Sequence, residues 1–235
     1  MSDVSKILKQ SQAVFEAWQQ QSVAERAALL ELWAQLLSRR SDAHNKSAAM
    51  IRFQCQQALG LIAEEQELEG PTGESNHLYC VGRGSMLVLG DETANEVAMV
   101  GQISAALVAG NTVICSINPQ AECDLDLLLS DLLKAGCPNR VAISLPPEQN
   151  QAMAEQPAIA AVVISGTEQN CKHYAQLLAQ REGQLAQIIC ETDMFELKQL
   201  SEPHYLLRFI TERTRTINIT AIGGNAKLLE LGSGE

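Results

Sequence analysis

The first part of the chain has a helical pattern. Apolar residues recur every three to four positions, as at Leu30 and Trp33, and Ser-Val-Ala-Glu at 22–25 has the form of a capping box that begins a helix. The proline and glycines of 70–76 cannot continue this pattern. We therefore predict a helical segment of three helices over 1–69.

The middle of the chain alternates short apolar runs with helical stretches at about 94–108, 121–135 and 168–181 and a poorer one at 147–156. The apolar runs read SMLVLG, NTVICS, RVAISL, AAVVIS and QLAQIIC. Such uninterrupted runs are typical of parallel strands that are covered on both faces. The pattern predicts an α/β fold with a Rossmann-like, doubly wound parallel sheet over 86–195.

Two further strand patterns flank this sheet. The stretch 77–89, with a Gly-Arg-Gly turn at its centre, is typical of a β-hairpin, so we expect 70–90 to form a flap and the first sheet strand. Near the end, 214–221 alternates as a half-buried strand does. Thr214, Thr216, Asn218 and Thr220 would face one side, and Ile217, Ile219 and Ala221 the other. We expect 203–231 to complete the flap.

Composition narrows the class of protein. The 235 residues are 46% hydrophobic, which is ample for a globular core. Seventeen basic against 28 acidic residues give a net charge of −11, which disfavours nucleic-acid binding. The sequence has neither an apolar run long enough to span a membrane nor a secretory signal, so we expect a cytoplasmic protein.

The motifs of common active sites are missing from the sequence. It has no G-x-G-x-x-G, Walker or G-x-S-x-G motif, and the GGNAK segment lacks the spacing of a phosphate loop. The seven cysteines form no C-x-x-C pair and lie mostly in apolar runs, so we expect buried free thiols, with no metal site and no disulfides. They are Cys55, Cys80, Cys115, Cys123, Cys137, Cys171 and Cys190.

Three stretches resemble the aldehyde dehydrogenase superfamily: GPTGESN at 70–76, VGQISAALVAGNTVI at 100–114 and ERTRTINITAIGGNAKLLEL at 212–231. Within this superfamily, the three stretches resemble the pyrroline-5-carboxylate dehydrogenase modules of proline utilization A (PutA) proteins. The resemblance implies a Rossmann-like domain with a β-flap.

The sequence departs from this family where NAD binds. The family's tryptophan–asparagine pair falls on Glu92 and Thr93, its ribose-binding lysine on Ser116, and the glutamate near that lysine on Pro119. The glycine-bearing turn of the nicotinamide side is kept at Gly166. We therefore expect no cofactor, with residual weak NAD binding as the alternative.

The catalytic parts of the family depart further. Glu191 resembles the general-base glutamate, but Asp193 and Met194 replace the two glycines expected after it. The family's catalytic lobe with its cysteine nucleophile should follow, yet a short bridge at 194–207 leads directly to the terminal strand. None of the cysteines has a nucleophile context, so we predict a pseudoenzyme without catalytic residues and without the catalytic lobe.

The resemblance implies a role in assembly. We expect a non-catalytic module of the proline catabolic system that supports oligomerisation and channelling of the intermediate in PutA. Its partner would be a pyrroline-5-carboxylate dehydrogenase module or a second copy of the chain. The expected contact residues are Thr214, Thr216, Ile217, Asn218, Ile219, Thr220, Gly223, Gly224 and Asn225. Alternatives are burial of the strand in its own monomer, a weak NAD-binding regulator, or a 1-pyrroline-5-carboxylate dehydrogenase with residual activity.

Overall fold

The computed structural model describes residues 3–71 and 73–218. Its helices are α1 (Asp3–Gln20), α2 (Val23–Arg40), α3 (Asn45–Leu61), α4 (Glu96–Val108), α5 (Leu125–Lys134), α6 (Asn150–Ala154) and α7 (Glu168–Ala179). Its strands are β1 (Gln66–Leu68), β2 (Glu74–Gly82), β3 (Ser85–Gly90), β4 (Thr112–Ile117), β5 (Ala142–Ser144), β6 (Ile159–Ser165), β7 (Gln187–Glu191) and β8 (Ile210–Asn218).

The central sheet has five parallel strands in the order β5-β4-β3-β6-β7. One face packs against α2 to α5 around Trp33 and Ile103, and the other against α1, α6 and α7 around Met153 and Tyr174. The strands are apolar on both sides because helices cover both sides. The predicted doubly wound α/β fold is confirmed.

The N-terminal helices pack against the elements of the central sheet domain. The predicted capping box starts α2, since the Glu25 amide donates to Ser22 Oγ at 3.2 Å and the Ser22 amide donates to Glu25 Oε2 at 2.7 Å. The Trp18 indole donates to the Leu107 carbonyl oxygen at 3.0 Å and thereby ties α1 to α4. None of the described helices is both long enough and apolar enough to cross a membrane.

A second, three-stranded antiparallel sheet has the order β1-β2-β8, and we call it the flap sheet. The expected hairpin over 77–89 is wrong, because β2 belongs to the flap sheet and β3 to the central sheet. The Gly-Arg-Gly turn is a crossing between the sheets. The amides of Arg83 and Gly84 donate to Asn111 Oδ1 at 2.6 and 3.2 Å, which directs the chain away from a hairpin.

One other expectation needs correction beside the flap sheet. The helical segment was expected to reach residue 69, but α3 ends at Leu61 and β1 pairs with β2. Antiparallel pairing with the next strand along the chain here overrides the helical propensity of a glutamate-rich stretch. The segment 192–209 alone joins β7 to β8, ending in a short 3-10 turn at Tyr205–Phe209. The boundaries proposed between domains stay predictions.

Candidate functional site

The first candidate site is a crevice of about 500 Å³ at the carboxyl ends of β3, β4 and β6. Successive strands are added on one side of β3 up to β5 and on its other side from β6 onwards, so β3 and β6 flank the topological switch point of the sheet. Doubly wound sheets bind ligands at this point. The lining is mostly polar and includes Asp91, Asn118, Thr167 and His173, without a lysine or arginine among the lining residues. The site thus has a ligand-binding position but no cation for a phosphate.

Asp91 occupies the part of this edge nearest to the glycine turn. Its carboxylate accepts hydrogen bonds from the Thr167 amide at 2.6 Å, the Thr93 amide at 3.0 Å and the Thr93 hydroxyl at 2.7 Å. A Cβ on Gly166 would lie 2.1 Å from Asp91 Oδ2. Gly166 therefore makes room for a carboxylate of this chain, and Thr93 binds the same carboxylate.

The electrostatics of Asp91 follow from these bonds. Burial raises the pKa of its carboxyl, but the hydrogen bonds from Thr167 and Thr93 outweigh burial and hold the pKa below its usual value. Asp91 is therefore negatively charged at neutral pH. A negative charge at the glycine turn opposes an anionic ligand such as a pyrophosphate.

Ser116 and Pro119 do not join this crevice. Ser116 is fully buried in β4, and its hydroxyl has no hydrogen-bond partner among the described residues. Pro119 is exposed and lines a neighbouring depression with Cys123 and Leu145. The expected adenosine-side positions are thus separate from the glycine turn.

Glu191 lies at the end of β7 and is buried. Its carboxylate accepts hydrogen bonds from the Asp193 amide at 3.0 Å and the Leu200 amide at 2.9 Å. Both carboxylate oxygens are thus held by the backbone of the following loop. Glu191 fixes the bridge between β7 and β8, a role that the sequence did not suggest.

The bridge itself is held from several sides. The Asn95 side chain donates to the Met194 carbonyl oxygen at 2.7 Å, and the Gln54 side chain donates to the Leu200 carbonyl oxygen at 2.9 Å. Leu197 has a φ of 51°, a left-handed conformation that only a well-determined surrounding maintains. The same loop leaves Phe195 94% exposed. A firmly held loop therefore presents an aromatic ring to solvent.

The second candidate site is β8. All of its residues after Ile210 are exposed, including Thr214, Thr216 and Asn218, and Ile217 is 41% exposed. The expected half-buried strand is therefore wrong for the described part, because no element of the described chain covers either face. Ile219, Thr220, Ala221, Gly223, Gly224 and Asn225 lie outside the described residues.

β8 is nevertheless firmly paired along one side. Nine residue pairs align it with β2, and Arg215 forms an ion pair with Glu65 at 2.8 Å. Its other side is an edge of the flap sheet as far as the structure describes it. A long edge strand is a template for pairing with another chain.

The chain is similar in sequence to known proteins. No family model matches the chain. It is similar to the bifunctional protein PutA of Salmonella typhimurium, with 28% identity over 175 residues, and to that of Escherichia coli, with 27% identity over 175 residues. Each match covers 74% of this chain and 12% of the relative. The chain therefore spans about an eighth of the length of these curated relatives.

Solved structures of PutA have the same fold as this chain. A Bradyrhizobium japonicum proline utilization A (PutA) variant superposes with a TM-score of 0.73 and 26% identity over 80% of this chain and 22% of that one. The chain is therefore similar to PutA over most of its length and shares its fold. An indole-3-acetaldehyde dehydrogenase shares the fold alone, with a TM-score of 0.72 and 14% identity over 81% of this chain and 48% of that one.

The thiols of this PutA-like chain are all free, but only Cys55, Cys115 and Cys137 are buried. The expectation of buried thiols is wrong for Cys80, Cys123, Cys171 and Cys190, which are half-buried. Burial raises the pKa of Cys55, Cys123 and Cys137 to about 12 and also raises that of Cys80 and Cys115. Within the described residues, no group of histidine, cysteine and acidic side chains is arranged to hold a metal.

Proposed function

We propose that the chain is a non-catalytic aldehyde-dehydrogenase-like module of the proline catabolic system. In this proposal the flap sheet docks on a PutA-type pyrroline-5-carboxylate dehydrogenase. Docking supports its oligomeric assembly and helps to retain the intermediate that passes to it. The exposed edge of β8 is the observation that carries the proposal.

The crevice supports a role without NAD. Its glycine turn is occupied by the charged Asp91 carboxylate, and no lysine or arginine is among the residues that line the crevice. The position of the ribose-binding lysine holds the buried Ser116, which cannot form an ionic contact. A dinucleotide would therefore meet repulsion at one end and no charged partner at the other.

The thiols support a role without aldehyde oxidation. A thioester mechanism needs an accessible thiolate beside a ligand site. A hydrogen bond from Cys190 lowers the pKa of Cys171, while burial and nearby negative charges oppose that lowering. Cys171 is not among the residues that line the crevice, and Glu191 is committed to the backbone of the bridge.

The flap supports docking on another polypeptide. β8 is exposed on both faces over eight consecutive residues, and strand addition at such an edge forms new main-chain hydrogen bonds. The Phe195 ring gives a second contact point, because an aromatic side chain on a firmly held loop can enter a pocket without the cost of ordering that loop. Together these features favour interaction over chemistry.

Light scattering on a sizing column tests the proposal. The chain is run alone and mixed with the pyrroline-5-carboxylate dehydrogenase of the same organism. We expect a mixed complex that is lost when Thr214→Lys and Thr216→Lys place charges beside the β8 edge. The control pair Gln180→Lys and Gln184→Lys adds the same charge at exposed positions after α7 and should leave the complex intact.

Other outcomes separate the alternatives. A homodimer that ignores the dehydrogenase but is lost in the same flap variant would assign the edge to self-assembly. A chain that stays monomeric in both runs contradicts the docking role. NAD binding detected by calorimetry would favour the nucleotide-binding regulator, and cysteine-dependent NADH formation from pyrroline-5-carboxylate would favour the residual enzyme.

A further inference from the structure

The two faces of β8 carry opposite charges. Arg213 and Arg215 lie on the same face, because successive side chains of a strand alternate between its faces. Tyr79 of β2 lies opposite Arg213, and the Arg215 guanidinium lies over the Tyr79 ring, 5.8 Å from its centre. Glu212 lies on the other face. We call the side of β8 that bears Arg213 and Arg215 the arginine face.

The two arginines differ in their partners. Arg215 reaches back across β2 to Glu65, and their charged groups are 2.8 Å apart. The Arg213 side chain is exposed and forms no ion pair with any residue of 3–71 or 73–218. An arginine without a counter-charge among the described residues therefore lies on the exposed strand of an otherwise acidic chain, whose net charge is −11.

A second copy of β8 is a poor partner for this edge. Opposite residues of an antiparallel pair share a face, and like charges there destabilise the pairing. A two-fold pairing centred on residue 212 would place Glu212 opposite Glu212. Pairings centred on residue 213, 214 or 215 would each place an arginine opposite an arginine. The charges of β8 therefore favour a different polypeptide over a second copy.

We propose that the β8 edge binds an extended acidic segment of another polypeptide, with carboxylates two residues apart opposite Arg213 and Arg215. This inference rests on the proposed docking function and specifies the chemistry of the segment that docks. The segment is added antiparallel to β8, as β2 is on the other side. Its main chain extends the flap sheet, and its carboxylates form charge-assisted hydrogen bonds with the two guanidinium groups.

The acidic residues of the segment belong on the arginine face alone. Thr214 and Thr216 share the other face with Glu212, so acidic side chains placed there would meet a like charge. The segment therefore alternates acidic residues with neutral or basic ones. Salt screens the repulsion from distant acidic residues of the chain more than it screens pairs in direct contact.

Fluorescence anisotropy with the full chain tests the inference. The probes are two labelled synthetic peptides, one of alternating glutamate and threonine and one of alternating lysine and threonine. We expect the glutamate peptide to bind at least about tenfold more tightly, with a preference that falls as salt is added. Arg213→Glu should weaken binding of the glutamate peptide about tenfold and strengthen binding of the lysine peptide.

Arg39→Glu is the matched control, because Arg39 is an exposed arginine in the last turn of α2, and it should leave both affinities unchanged. Unfolding of Arg213→Glu cannot produce the expected gain for the lysine peptide. Three outcomes overturn the inference: no binding of the glutamate peptide, equal binding of both peptides, or equal effects of Arg213→Glu and Arg39→Glu.

The sizing-column experiment separates this inference from docking itself. A mixed complex with the dehydrogenase that survives Arg213→Glu but is lost with Thr214→Lys and Thr216→Lys would overturn the acidic segment and leave docking in place. A glutamate peptide that binds with the expected preference, while no mixed complex forms, would support the acidic segment and contradict docking on that dehydrogenase.

Discussion

The two sheets of this molecule differ in how far their strands are buried. β4 is buried in all but its last residue, whereas β8 is buried only in its first. Helices cover both faces of the central sheet, but no described element covers the flap sheet on the faces of β8. Because β8 is paired but is not stabilised by burial within its own chain, we expect it to be stabilised by contact with another chain.

Matched isoleucines test this difference with the largest effect. Ile114→Ala in β4 removes a fully buried side chain, so we expect a loss of about 2–5 kcal/mol in the free energy of unfolding. Ile217→Ala in β8 should cost about 0.5 kcal/mol or less in the isolated chain. Urea denaturation measures both, and equal losses would mean that β8 is buried within its own chain.

The room at Gly166 gives the next effect. Gly166→Ala would place a Cβ 2.1 Å from Asp91 Oδ2, and we expect a loss of about 1–3 kcal/mol in the free energy of unfolding. In an Asp91→Ala background the same change should cost much less. A double-mutant cycle measures the coupling, and additive losses would contradict the role of Asp91 in filling this space.

The charge of Asp91 predicts a pH dependence. Its hydrogen bonds hold the pKa of Asp91 in the folded state below its value in the unfolded state. The contribution of Asp91 to the free energy of unfolding is therefore fully present above the unfolded-state pKa of about 4, and it is lost as the pH falls through the folded-state pKa. Asp91→Asn should therefore cost about 1–2 kcal/mol near pH 7, with a smaller cost at lower pH. Urea titrations across this range measure it. The exposed Asp126→Asn is the control, and a cost for Asp91→Asn that does not change with pH would contradict the account.

The ion pair of the flap sheet should have the smallest effect. Arg215 and Glu65 pair at 2.8 Å, but both side chains are about half exposed. Arg215→Ala should cost about 0–1 kcal/mol, because water and salt screen the attraction. A double-mutant cycle with Glu65→Ala measures the coupling energy of the pair. A coupling energy that persists at high salt would show that this ion pair is shielded from solvent, contrary to the exposure of β8.

The sequence predicts the central sheet well because burial on both faces leaves uninterrupted apolar runs. It does not predict the partner of a strand. The Gly-Arg-Gly segment has the composition of a hairpin turn, but Asn111, far away in sequence, captures its amides and directs the chain into another sheet. The alternation in β8 likewise cannot reveal that its apolar side lacks a cover within the described chain.

The candidate site was predictable only through the family resemblance. The positions of Thr93, Ser116 and Asp193 mark where the chain departs from the family pattern. What replaces the lost contacts follows from tertiary structure, since Asp91 binds the Thr167 amide, which is far away in sequence. The only sequence feature that could have indicated Asp91 is its position directly after a buried strand.

Hydrogen exchange at β8 tests the central claim most directly. The amides of 211–218 are followed in the chain alone and in the presence of the pyrroline-5-carboxylate dehydrogenase of the same organism. The account predicts added protection along β8 with the partner, while the central sheet is unchanged. Exchange along β8 that stays the same at saturating partner would contradict docking through this edge.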